Sequence, residues 1–176
     1  MNAILEFTPG GLFCREGDFH IDPRRPVKRA VITHAHADHA RVGSRSYLCA
    51  KDSQRLLQAR LGREASIETL EYGEVKTINA VKLSLHPAGH ILGSAQLKVE
   101  RNGNIWVVSG DYKTDSDPTC APLEPLRCHT FITDMRLKWP GGCRKKGTTQ
   151  KPSRVSLMEC RRSTGVMHER FCRAVH

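Results

Sequence analysis

What is missing bounds this sequence before any motif is read. Its 176 residues contain no run of about 18 apolar residues, so a transmembrane helix is excluded. The first thirteen residues carry no Lys or Arg cluster and no long apolar stretch, so no secretory signal is expected. The cysteines number seven, an odd count in no paired pattern. Without an export signal they read as reduced thiols of a cytoplasmic protein. No internal repeat is present. The whole sequence, 39% hydrophobic and 26% charged, has a soluble globular composition. The length suits one ordinary domain and is too short for two large ones.

The formal net charge of +10 invites a nucleic-acid reading, but its distribution matters more. Residues 1–133 hold 17 Lys and Arg against 15 Asp and Glu, and residues 134–176 hold 11 against 3. Basic patches attract phosphates by counterion release, yet a terminal charge run is more often a solvated tail. The overall charge therefore does not identify a substrate.

The first 133 residues read as short strands punctuated by turns. Strands are expected over residues 18–22, 30–33, 46–49, 81–85, 94–100, 105–109 and 130–133. Asn102-Gly103 favours a tight hairpin between two of them. Asp52 is expected to cap a helix through Leu56, Leu57 and Leu61 that stops at Gly62. Residues 68–72 and 75–78, flanking Gly73, read as a second hairpin. After Asp134 neither a period of 2 nor one of 3.6 persists. Residues 138–142 and 147–154 read as loop or disorder, and residues 156–169 as a weak helix at most.

The chemistry concentrates in His34-Ala35-His36-Ala37-Asp38-His39, directly after a buried strand. Each of the four polar side chains can donate a lone pair to a divalent metal. His34 and His36 point the same way on extended backbone, because strand side chains repeat every second residue. Asp38 and His39, further round the turn, can hold a neighbouring ion. Imidazole and carboxylate together suit zinc or another late divalent metal. A lone histidine is usually a packed core residue, whereas four ligand types in six positions separated by alanines are hard to explain by packing. His90, in a Gly-bordered loop after a strand, and Asp111, directly after another, are weak singly. With the first cluster they supply a third imidazole and a carboxylate able to bridge two ions. Asp22 reads as an acceptor that fixes a ligating histidine's tautomer, or as a turn residue before Pro23. Two ions about 3.5–4 Å apart support hydrolysis without naming the bond.

These residues, in this order on strand ends, resemble the metallo-β-lactamase superfamily. The chain is most similar to its nucleic-acid-processing branch, and within it to the bacterial ligase-associated DNA exonucleases. Residues 21–23, 30–40, 71–74, 85–96 and 107–113 carry the resemblance, which covers roughly residues 3–134. It implies an α/β (α+β) fold, the αββα sandwich, here mainly its first half, followed by a poorly ordered tail. The corresponding division is a partial domain over 1–134 and a basic, disordered or aberrant tail over 135–176. The resemblance assigns His34, His36 and His90 to one zinc, Asp38 and His39 to a second, and Asp111 to both. Asp38 and Asp111 are then the catalytic acids. Asp22 matches the structural acid of the first strand end, and Asp134 stands where the family usually has Glu. His168 and His176 lie in no recognisable ligand context.

The implied cofactors are two divalent ions, zinc or manganese. The implied substrate is DNA, in repair or processing, with functional association with a DNA ligase and no membrane role. RNA processing, another hydrolysis on the same fold, and a non-catalytic metal-binding remnant stand as alternatives.

Overall fold

The computed structural model describes residues 3–133 and the backbone of Ser156–Glu159. The chain begins with β1 (Glu6–Thr8), β2 (Gly11–Cys14) and β3 (Phe19–Ile21), joined antiparallel. Three parallel strands extend that sheet: β4 (Arg29–Val31), β5 (Ser46–Ala50) and β6 (Ile67–Leu70). Between β5 and β6 lie a 3-10 turn over Lys51–Ser53 and the helix α1 (Gln54–Leu61). The second sheet starts at β7 (Val75–Ile78) and continues antiparallel through β8 (Val81–Pro87), β9 (Ala95–Arg101) and β10 (Asn104–Val108). The strand β11 (Thr130–Thr133) then lies parallel to β10, and β12 (Ser156–Glu159) antiparallel to β11. Each sheet has six strands in sequence order among the described residues.

The alternation of β8 and β9 decides how the sheets face. Val81, Leu83 and Leu85 and, opposite them, Ala95, Leu97 and Val99 have no exposure, because every second side chain enters the inter-sheet core. They meet Phe19, Ile21, Val31 and Leu48 of the first sheet in one apolar cluster. The parallel strands β4 and β5 are buried on both faces, as central parallel strands require. Val31 faces the other sheet, while Ala30, Ile32, Tyr47 and Cys49 pack outward with Leu57 of α1. Two sheets and one covering helix make a mixed α/β sandwich of the described residues.

Three expectations change. Residues 68–72 and 75–78 do not form a hairpin: β6 pairs with β5 and β7 with β8, so the turn at Gly73 (φ 79°) carries the chain from one sheet to the other. Asp52 does not cap α1. The 3-10 turn follows β5 directly, and Ser53 is the N-cap residue with no side-chain bond. The close approach of Gly93 leaves no room for a wider entry: a Cβ there would lie 2.2 Å from Ser53 N. Ser156–Glu159 runs as strand rather than helix, because the edge of β11 offers unpaired backbone groups that a tetrapeptide can complete. The hairpin of β1 and β2 was not read from the sequence, although Pro9-Gly10-Gly11 is a turn signal. The rest of the expected tail, and Asp134, lie outside the described residues.

Truncating Leu97 to alanine is expected to cost about 2–5 kcal/mol in urea unfolding, because both sheets pack against it. Leu92, 46% exposed, should lose no more than about 0.5 kcal/mol on the same change. Equal effects would contradict the inter-sheet core.

Candidate metal centre

The C-terminal ends of β3, β4, β8 and β10 open on one rim of the sandwich, and each delivers a polar loop there. Asp22 follows β3, Thr33 to His39 follow β4, His90 follows β8 and Asp111 follows β10. Ala95 N–H donates to Thr33 O at 2.8 Å, joining the two sheets at that rim.

Asp22 takes up φ +43°, a left-handed conformation that Asp tolerates better than most residues. From there its carboxylate accepts three hydrogen bonds. Thr33 N–H donates to Oδ1 at 2.8 Å, Thr33 Oγ1–H to Oδ2 at 2.6 Å, and the ring Nδ1 of His39 lies 2.8 Å from Oδ2. The carboxylate can only accept, so His39 Nδ1 carries the proton and its Nε2 faces the rim. Thr33 has given its one hydroxyl proton to Asp22, so its oxygen accepts from His34 Nδ1 at 3.1 Å. His34 therefore turns a lone pair, on Nε2, into the site.

That lone pair meets others. His34 Nε2 lies 3.0 Å from His36 Nδ1, and His90 Nε2 lies 3.3 Å from the same atom. Asp111 Oδ2 is 3.9 Å from His34 Nε2 and 3.7 Å from His90 Nε2. Donors held about 2.0–2.1 Å from a tetrahedral ion stand roughly 3.3 Å apart. The separations of 3.0 to 3.9 Å among His34, His36, His90 and Asp111 come close to that spacing. A second group adjoins it. Asp111 Oδ1 lies 3.8 Å from His39 Nε2, which is 3.9 Å from Asp38 Oδ2. Asp111 thus presents one oxygen to each group. The geometry brings together His34, His36, Asp38, His39, His90 and Asp111, with Asp22 behind them.

Burial sets the charge states. His34 has no side-chain exposure, and burial first, then the neighbouring rings of His39, His36 and His90, push its pKa down to about 2. It remains a neutral donor across the physiological range. His39 goes the other way. Burial alone would lower it, but the bond to Asp22 and the charges of Asp22, Asp111 and Asp38 raise it to about 9.

The loops that carry His90 and Asp111 are held by residues the sequence analysis did not single out. His90 and Ile91 donate their N–H groups to Ser94 Oγ at 3.0 and 3.2 Å. A Ser four positions after a histidine in a Gly-rich turn is the signal that could have identified it. Gln96 Nε2 donates to Pro87 O and Glu124 O at 2.9 and 2.7 Å, and Lys113 N–H donates to Ala88 O at 3.0 Å. These bonds pin the segment after Asp111 against the His90 loop. Gly110 (φ +56°) backs onto Thr33, where a Cβ would meet Oγ1 at 2.5 Å.

No family model matches the sequence. A probable DNA ligase of Opitutus terrae is 34% identical over 123 residues, 66% of this chain and 12% of that protein. An endoribonuclease YSH1 of Gibberella zeae is 31% identical over 99 residues, 56% of this chain and 11% of that protein. The chain thus spans about an eighth or less of the length of these relatives. Among solved structures, a B3 metallo-β-lactamase with an active-site glutamic acid superposes at a TM-score of 0.43, with 15% identity, over 61% of this chain and 57% of that one.

Thr33→Val keeps the shape but removes the hydroxyl that links Asp22 to His34. It is expected to weaken divalent-metal affinity about 10–100-fold in competition with a chromophoric chelator; unchanged affinity would remove Thr33 from the centre. In metal-free protein the raised pKa of His39 contributes stability that is complete below about 6.5 and lost as pH rises through about 9. The thermal midpoint should fall over that interval and fall less in His39→Gln, while zinc, which needs the neutral ring, should release protons on binding at neutral pH.

Proposed function

Because the described part of this chain belongs to the metallo-β-lactamase-fold nucleases, we propose that it is a divalent-metal-dependent phosphodiesterase acting on nucleic acid. The single observation that carries this reading is the position of Asp111, one oxygen toward His34 and His90 and the other toward His39. His34, His36, His90 and Asp111 would hold one ion, and Asp38, His39 and Asp111 a second. Three imidazoles with one carboxylate oxygen suit zinc, and manganese is the natural alternative at the more oxygen-rich second group. Two ions held there would supply Lewis-acid polarisation of a phosphoryl oxygen and an activated water at neutral pH.

The chain's own residues do the rest. His34 stays neutral and locked in one tautomer by Thr33. Asp22 sets the ring of His39 in the same way. Asp38, with 51% side-chain exposure, stands at the mouth of the site, where a substrate enters. Asp111 orients both groups relative to each other, so Asp38 and Asp111 are the acids proposed as catalytic.

DNA is the proposed substrate, in exonucleolytic repair or processing in association with a DNA ligase, because a relative similar over 123 residues is described as a probable DNA ligase. RNA is the second reading, since several relatives are described as endoribonucleases. A cytoplasmic location belongs to the same proposal. Unpaired Cys14 and Cys49 support it, buried thiols whose pKa burial raises, to about 12 for Cys49.

The test is cleavage of end-labelled DNA and RNA by the purified chain with added zinc or manganese. Metal-dependent cleavage, faster on DNA, is expected; a chelator, His36→Ala and Asp38→Ala should each abolish it. Undiminished cleavage by either variant would sink the assignment. One bound zinc per chain with no cleavage of either polymer would leave a metal-binding protein without this activity.

A further inference from the structure

Charge within residues 1–133 is strongly uneven. Between Asp22 and Asp52 the sequence holds seven cations against one acid, Asp38, and the rest of those 133 residues hold ten against fourteen. Six of the seven fall in two stretches, Arg24, Arg25, Lys28 and Arg29 in the first and Arg41 and Arg45 in the second. The fold lays these stretches side by side. Arg45 N–H donates to Val27 O at 3.0 Å, Val27 N–H to Ser44 Oγ at 3.2 Å, and Ser46 Oγ–H to Lys28 O at 3.2 Å. Tyr47 closes the second stretch on itself, donating its hydroxyl to Arg41 O and accepting from Ser44 N–H, both at 2.9 Å.

The ribbon so formed starts at the metal centre. Arg24 stands two residues after Asp22 and Arg41 two after His39, and Asp22 and His39 are themselves joined at 2.8 Å. It ends at a cavity of about 360 Å³ lined by Lys28, Arg29, Arg45, Ser46 and Ser66. Lys28 pairs with Asp18 and Arg29 reaches Gly17 O. Arg24, Arg25, Arg41 and Arg45 are exposed, with no ion pair among the described residues. A face that serves solubility alone intersperses both signs. Here backbone hydrogen bonds hold the two arginine-bearing stretches side by side, with Asp38 the one acid between residues 22 and 52, an excess of positive charge that suits an anion.

We propose that this ribbon binds the phosphodiester backbone of the nucleic-acid chain entering the metal centre, guiding it along the Asp22–Arg29 edge to the Lys28–Arg29–Arg45 cavity. The inference rests on the phosphodiesterase reading of the centre. From His34 back to Arg29 the run is about 16 Å at roughly 3.3 Å per residue. At about 3.4 Å of axial rise per phosphate on one strand of a B-form duplex, that length faces four or five phosphates. Such contacts position a strand without reading its bases, so the ribbon serves DNA and RNA alike and leaves discrimination to the site.

The test uses the full chain, metal-free so that nothing is cleaved, and fluorescently labelled DNA and RNA of about 20 nucleotides. Affinity is followed by anisotropy from about 50 to 200 mM salt. Combined Arg24→Ala, Arg25→Ala, Arg41→Ala and Arg45→Ala should flatten the plot of log affinity against log salt by about 3 and weaken binding at least about tenfold at the lower salt. The four Arg→Lys changes together should preserve the slope, because the contacts are to charge rather than shape. The basic residues beyond 133 are common to all three proteins and cancel in the difference. An unchanged slope in the alanine variant overturns the proposal, and so does an equal loss in the lysine variant, which would report damage to the fold. Hydrolysis of bis(p-nitrophenyl) phosphate by the metal-loaded wild-type chain tests the centre separately. Its absence beside the expected slopes would overturn the phosphodiesterase reading while leaving a nucleic-acid-binding ribbon.

Discussion

The carboxylate of Asp22 is the constraint on which the rest of the centre depends. It accepts from Thr33 N–H, Thr33 Oγ1–H and His39 Nδ1 at 2.6 to 2.8 Å, and through Thr33 it fixes the proton of His34 as well. Hydrogen bonds to an ionised acceptor are about twice as strong as neutral ones. Three of them on one partly buried acid hold the loop from Thr33 to His39 without regular secondary structure. The left-handed backbone at Asp22 is the cost of aiming the carboxylate back at β4, and these bonds offset it. Remove the carboxylate and two ring tautomers, one loop conformation and one backbone strain are all released together.

The donors are divided between the sheets. Residues 34–39 belong to the first, His90 and Asp111 to the second, so the separation of the ligand atoms is set by the apolar core between them. Leu83, Leu85, Leu97 and Val99 therefore act on the metal centre at a distance, by fixing how closely β8 and β9 lie to β3 and β4. The clamp of Gln96 on Pro87 O and Glu124 O adds a polar fastening between the loops that follow β8 and β10. Ions that bind this folded arrangement and not the unfolded chain would stabilise the sandwich in return.

Much of the candidate centre was legible because most of its candidate donors are local in sequence. His34, His36, Asp38 and His39 stand out by spacing alone, whereas His90 and Asp111, weak singly at strand ends, gain weight only beside them. What was not legible is long-range. That β6 and β7 go to different sheets depends on which edges are open, not on residues 67–78. The entry to α1 depends on Gly93, forty residues downstream of Ser53, pressing against it. Thr33 reads as an ordinary β-branched strand residue until the fold sets it beside Asp22, and Ser94 and Gln96 read as the start of a strand until their partners arrive.

Net charge misleads here for a related reason. Counted over residues 1–133, the cations and acids nearly cancel, which argues against a polyanion surface. The cancellation holds for the sum and not for the surface, since the fold gathers residues 24–29 and 41–45 by backbone hydrogen bonds and leaves most acids elsewhere. A potential is generated by charges within about a Debye length, near 8–10 Å at physiological salt, so a local excess is felt even when the total is close to zero. The same loops that deliver His34 and His39 to the rim carry this excess. One stretch of sequence thus supplies both the donors that would hold the ions and the cations that face whatever anion approaches them.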